Sequence, residues 1–489
     1  MSFNDYQELE HIFSSYYLLQ CSLSILDWDN AVMAPSETSM IHARQIAEQN
    51  RIIHKTVTSA MVGNLLDRAE QAIESFENQW QKANLREMQR IHSLYSAVPE
   101  ELQCEIASQA IITETAWRKA KETNDYPLFS SSMAPLLDLV RRKGECLGKT
   151  FQGTMYTGLL QEYDPQSTEG MLDSLFFSIG DGLPQLIRQI VDHRQEREEM
   201  NEKISLLPLT QDQQMQVCRR VVRDMGFDFK RGRLDKSAHP FSSGGREDLR
   251  ITTRLVDDQP LQGLFAAMHE CGHALYEMHL PKEFYCQPVG GARSMAVHEA
   301  IALFYEKGFI RTRQFATYLE RVVQEETGVR WSDEQLYRLF RDVQPSSVRV
   351  FADEVTYIPH ILLRYKIERA LLSGTLALSD LPEYWSQLME ENLGVRPTSH
   401  KDGCLQDIHW SMGTFGYFPS YAKGLILSFC LFEKYRSIVE SGNFQLVLQA
   451  LEQDIFSQGC LWETLPVVSE AFESPTLKET VFAHLAEGM

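Results

Sequence analysis

The chain has 489 residues and a formal net charge of −20, with 47 Lys and Arg against 67 Asp and Glu, which argues against nucleic acid or an anionic membrane as partner. Its 43% hydrophobic and 23% charged content is that of a globular protein with a sizeable core, and its nine cysteines form no C-x-x-C pair, which disfavours a disulfide framework or a thiolate metal site. Met1 to Tyr6 lacks a basic segment followed by an apolar one, and the longest apolar run, Gly424 to Phe432, is too short to span a bilayer, so a cytoplasmic protein is expected.

From Tyr6 to about Ile190 the apolar spacing is helical almost throughout. Leu9, Ile12, Phe13, Tyr16, Tyr17 and Leu19 mark one face. The segments Ile41 to Ile53, Met61 to Phe76 and Gln79 to Tyr95 continue in the same style. Nothing before Ser205 has metal-ligand spacing, so residues 1–205 are expected to build walls, or a lid, over a site carried by residues 206–489 of one single domain. The charged run His193 to Lys203 reads as a solvated helix face or linker. Leu207 to Gly226 is an amphipathic helix, and Phe227 to Phe241 reads as an aromatic loop. The Ser242-Ser243-Gly244-Gly245 turn precedes a strand at Leu249 to Leu255, where apolar residues alternate with period two. Such a strand could take up an extended peptide as a further strand.

The chemistry centres on Ala266 to Tyr276, which contains H-E-x-x-H. Positions i and i+4 share a helical face, so His269 and His273 can direct two imidazoles at one ion. Glu270 then lies close enough to handle a metal-activated water without being a ligand. Pro260 suits a first helical position, and Pro281 ends the apolar spacing. A catalytic zinc needs a third protein ligand, and a return helix over Ser294 to Phe304 offers Glu299. His298 competes, but on a helix it points about 100° away from Glu299, so both cannot easily bind the ion. Glu299 is taken as ligand and His298 as its support or a substrate contact. Further on, Ser346-Ser347 can cap a helix carrying Arg349, Asp353 and Glu354, with Pro359 inside it. The Gly-rich stretch Asp402 to Tyr421 either supplies oxyanion donors from His409, Tyr417 and Tyr421 or is a packed aromatic loop.

Seven ordered elements resemble those of the carboxypeptidase Taq family of metallocarboxypeptidases: His239-Pro240-Phe241, Asp248 to Thr252, His269 to His273, His298-Glu299, Arg349 to Asp353, Gly403 to Trp410, and Gly416 to Tyr421. The resemblance covers nearly the whole chain from about Leu18. It implies a mainly α fold, with long helices forming a deep substrate cleft and a small β-sheet beside the H-E-x-x-H helix. It also implies a homodimer that removes single C-terminal residues from peptides with broad specificity, and it favours Glu299 as the third ligand. The chain departs from the family pattern at Ala300-Ile301-Ala302, Phe351 and Lys423.

The expected chemistry is hydrolysis of peptides by metal-activated water, with Zn²⁺, or Co²⁺ or another divalent ion, held once per chain by His269, His273 and Glu299. Glu270 is the expected general base. His409 and Tyr421 are the expected oxyanion donors, with Tyr417 in reserve. Arg349, and after it Arg250, are the cations expected to hold the substrate carboxylate, and His239 is expected to line the subsites. The alternatives are an endo-oligopeptidase or dipeptidase on a similar cleft, or a catalytically silent metal-binding scaffold, against which the intact Glu270 argues.

Overall fold

The computed structural model describes residues 2–76, 78–198 and 206–487. The architecture is mainly helical with one three-stranded sheet. A long first helix, Ser2–Val32, buries Tyr6, Leu9 and Phe13 against Val57, Leu65, Leu85 and Met88 from the following helices Ser39–Thr58, Ala60–Gln71 and Gln79–Ala97. A second core joins residues on both sides of position 205, with Leu136, Val140 and Phe176 packed in one cluster with Ile358, Trp385 and Phe418. A third surrounds the H-E-x-x-H helix, Pro260–Met278, through Val221, Met268, Leu275 and Phe304. The charged run expected at His193 to Lys203 is helical to Glu198, and its remainder lies outside the described residues.

One helix is the spine of the two larger cores. Phe418–Val439 gives Phe418, Leu425 and Phe429 to one cluster and Leu427, Leu431 and Tyr435 to the other, as a helix that is apolar on most of its circumference must. The return helix, Met295–Leu303, is packed between this spine and Pro260–Met278. Glycine makes both approaches possible. A Cβ on Gly272 would stand 2.7 Å from Ala302 Cα, and one on Gly424 would stand 2.5 Å from Glu299 Cβ. The small residues Ala300 and Ala302, fully buried here, belong to this close backbone packing.

The sheet differs from the sequence expectation. The strands are β1 Gly232–Lys236, β2 Ser242–Gly245 and β3 Asp248–Thr253, in the order β1-β3-β2, with β1 parallel and β2 antiparallel to β3. So β1 lies inside the segment read as a loop, and the expected Ser-Gly turn is itself a strand. Short polar strands give no alternating apolar signal, which is why the sequence hides them. Because β3 is paired on both edges, it cannot accept a further strand.

Two further features shift from expectation. Ser346-Ser347 does not cap a helix. Arg349 lies in a short 3-10 turn, Arg349–Phe351, and the helix Glu354–Ser373 is capped by Asp353, whose carboxylate accepts from the backbone N–H of Val355 and Thr356. Asp outcompetes Ser here because one ionised oxygen, Oδ1, serves both orphan donors. Lys423 is tied to Asp164 and Ser167 and so pins the spine helix to the segment after Met155–Leu160.

Candidate active site

Pro260 at the first helical position and the apolar face of Met268 and Leu275 fix Pro260–Met278 against the core, leaving His269 and His273 on its free side. The return helix brings Glu299 to them, with one carboxylate oxygen 3.7 Å from His269 Nε2 and the other 4.0 Å from His273 Nε2. All three ligand atoms lie within 4.8 Å of one another. Glu299 is only 3% exposed, and its Oε2 has no hydrogen-bond partner among the described residues. An orphaned buried carboxylate oxygen facing two imidazoles is costly without a cation. The donor set therefore fits a divalent ion bound by two nitrogens and one carboxylate.

The imidazoles are held from behind by residues that carry no motif. Glu306 Oε2 lies 2.7 Å from His269 Nδ1, and the Lys307 ammonium steadies the other oxygen at 3.0 Å. Glu306 reaches this place because the return helix opens into a π-helical turn, Phe304–Gly308, which rotates the residues after Leu303. His273 Nδ1 lies 3.0 Å from His298 Nδ1, and His298 Nε2 lies 2.8 Å from Glu277. His298 thus stands behind His273, on the far side from the ligand atoms. Such outer partners fix ring orientation and ligand basicity.

Glu270 follows His269 on the same helix and is 7% exposed. Burial, reinforced by the fields of Glu299 and Glu306 and opposed by that of His269, raises its pKa to about 7. That is the range suited to a group that takes and returns a proton near neutrality.

The Gly-rich stretch closes over the same point. Tyr417 donates from its hydroxyl to Glu299 Oε1 at 3.2 Å, the Tyr417 and Tyr421 rings meet edge to face at 5.0 Å, and Tyr421 OH lies 3.4 Å from His409 Nε2. Burial, opposed by the field of Asp407 and joined by those of Arg349 and Arg364, lowers the His409 pKa to about 4, so the imidazole is neutral at pH 7. The Arg349 guanidinium covers the Tyr421 ring at 4.9 Å. It donates to Asp407 from Nε at 3.0 Å and to Tyr357 OH from Nη1 at 3.2 Å. Asp407 also accepts from Arg364 at 2.7 Å, so two buried guanidiniums share one carboxylate and leave positive charge in excess.

The structure therefore gathers His269, His273, Glu299, His409, Tyr417, Tyr421 and Arg349 into one chain of contacts, with Glu270 buried next to His269 on the same helix. Arg250 and His239 are not links in it. Arg250 is engaged by Asp248, at 3.0 and 2.8 Å, and lies 4.4 Å from the Trp28 ring. His239 is exposed in the loop between β1 and β2, where partial desolvation, and after it the charges of Arg254, Lys121 and Arg118, lower its pKa. Sequence reasoning missed Glu306, Glu277, Asp407 and Arg364. Glu277 had a signal, since it lies four residues beyond His273 on the same face. Glu306 had none, because its placement depends on the π-helical turn.

The family described as carboxypeptidase Taq (M32) metallopeptidase matches residues 8–489. The chain is 34% identical over 427 residues to a thermostable carboxypeptidase 1 of Thermus thermophilus, covering 83% of this chain and 81% of that protein. It is 29% identical over 461 residues to a carboxypeptidase 1 of Bacillus subtilis, covering 92% and 91%. Among solved structures it is similar to Trypanosoma cruzi metallocarboxypeptidase 1, with a TM-score of 0.94, 31% identity and 99% of each chain covered. The chain belongs to the carboxypeptidase Taq (M32) family and is a metallocarboxypeptidase, a peptide hydrolase.

Proposed function

We propose that this enzyme releases single residues from the C-terminus of peptides with broad specificity, with zinc held by His269, His273 and Glu299. The observation that carries this reading is the orphaned Glu299 oxygen facing two oriented imidazoles, with Glu270 buried beside them. A divalent ion at these ligands supplies Lewis-acid polarisation of the scissile carbonyl and acidification of a water molecule. Glu270 accepts the proton of the attacking water and returns it to the leaving amine. Tyr417, Tyr421 and the neutral His409 offer hydrogen-bond donors to the oxygen on which charge develops. Arg349, in the zone of excess positive charge around Asp407, attracts the free carboxylate, and the pairing with Asp407 holds the guanidinium in place until substrate arrives. The same reading takes the enzyme as a cytoplasmic homodimer.

A peptide set made in free-acid and amidated forms, digested with and without chelator and read by mass spectrometry, tests the proposal. The expected products are single amino acids from free-acid peptides only, lost with chelator and restored by Zn²⁺. Internal cleavage of amidated peptides would assign an endo-oligopeptidase instead.

A further inference from the structure

Away from the metal centre, a cavity of about 360 Å³ opens among the helices Arg313–Thr327, Asp333–Phe340, Phe418–Val439 and Leu477–Ala486. Arg311, Arg313, Arg341, Arg436 and His484 line it, against Glu440 and Glu487. In a chain of net charge −20, this concentration of cations runs against the overall balance. Most of the cations are engaged. Arg311 is paired with Glu354, Arg313 with Glu334 at 2.6 Å, and Arg436 with Glu433, Glu440 and Glu487.

Arg341 is different. Among the described residues, no carboxylate lies within ion-pair distance of its guanidinium, and no side-chain hydrogen bond engages it. An aromatic ring positions it instead, the Tyr337 centroid at 5.3 Å, and Arg313 covers the same ring at 4.3 Å. Burial, and after it the charge of Arg311, hold its pKa below the usual arginine value.

Buried donors supply a second, independent observation. Arg311 is 6% exposed, and its Nε has no hydrogen-bond partner among the described residues. His484 is 2% exposed; its Nδ1 faces Glu433 at 3.7 Å, within ion-pair distance, and its Nε2 has no hydrogen-bond partner among the described residues. Buried polar groups are nearly always satisfied, so the unmatched Arg311 Nε and His484 Nε2, together with the unpaired Arg341 guanidinium on the same cavity, call for an acceptor.

We propose that this cavity binds a small oxyanion, a carboxylate or a phosphate, held by the Arg341 guanidinium with Arg311 and His484 as supporting donors. A guanidinium presents parallel N–H groups that match two oxygens of either anion, and the seat of Arg341 over the Tyr337 ring restrains that fork in advance. The site shares no residue with the metal centre, so its existence does not depend on the catalytic reading.

The full-length, metal-loaded protein is titrated calorimetrically with inorganic phosphate and, separately, with acetate. Wild type is expected to take up one equivalent saturably. Arg341→Gln should weaken uptake at least about tenfold, since a hydrogen bond to a charged group is lost. Arg341→Lys, which keeps the charge but not the fork, should fall between. Exposed Arg396→Gln should match wild type. Phosphate uptake without acetate uptake assigns a phosphate site, and the reverse a carboxylate site. Absence of saturable uptake of either anion overturns the proposal. So does uptake that Arg341→Gln leaves unchanged, as binding at the metal would. If Arg341→Gln does not fold, Arg341→Lys carries the same comparison.

Discussion

Gly424→Ala should damage the metal site without touching any ligand. The added Cβ would stand 2.5 Å from Glu299 Cβ and 3.1 Å from both Ala296 O and Ala300 N. Carbon atoms in contact need about 3.5–4.0 Å, so the spine and return helices must part by roughly 1 Å. Neither side can yield by rotating a side chain, because both Cβ atoms are fixed by their backbones. Overpacking of this kind costs about 1–3 kcal/mol, while replacing a helical glycine with alanine returns about 1 kcal/mol, so the net change in stability is modest. The metal is the sensitive reporter. Metal–ligand distances tolerate only about 0.2 Å, and a shift of the return helix carries Glu299 away from His269 and His273. Affinity should fall on the order of 10–100-fold or more, the range seen when merely an outer partner of a ligand is removed. Competition with a graded chelator measures the affinity, and urea unfolding measures the stability. Gly170→Ala, a helical position with nothing within 4 Å, is the control for propensity alone. If Gly424→Ala binds metal as wild type does, the close packing of these helices does not place Glu299, and the argument fails.

Glu270→Gln preserves size and helix but cannot accept a proton, so metal should stay bound while kcat falls by about 10²–10⁴-fold or more; a variant within about tenfold of wild type refutes the base assignment. Arg349→Ala should lower kcat/KM for free-acid peptides by roughly one to four decades, at ~1.5–3 kcal/mol per charged hydrogen bond, and leave the poor cleavage of amidated peptides unchanged. Equal losses on both would make Arg349 a structural residue. Glu368 concerns pH and stability. Burial lifts its pKa to about 7, against the pull of hydrogen bonds from Tyr156, Trp410 and Gly416. Folded protein therefore keeps this proton between about pH 4.5 and 7, where unfolded chain has lost it. The associated stability is fully present below the unfolded value and disappears as pH rises through 7, up to about 3 kcal/mol. The destabilisation caused by Glu368→Gln should accordingly shrink between pH 5 and pH 8 in urea titrations, and a constant or widening gap would show that Glu368 is ionised throughout.

The sequence by itself determined the parts whose geometry is local. His269, Glu270 and His273 lie within one helical turn and a residue, so the 3.6-residue period alone places the imidazoles on one face. The long amphipathic helices declare themselves in the same way, and the argument from the angle between His298 and Glu299 uses nothing beyond that period. What lies between elements was decided only by tertiary structure. The strands β1 and β2 are short and polar, so their identity comes from the partner β3 and not from their own residues. Glu306 orients His269 only because a π-helical turn rotates the chain after the return helix. Arg349 and Arg250 look equally suitable as isolated cations. The fold gives Arg349 a buried carboxylate shared with Arg364 beside Tyr421, and leaves Arg250 with Asp248 and Trp28. Local hydrogen bonding and periodicity can be read along a chain, whereas the charge balance around a side chain depends on which distant residues packing brings to it.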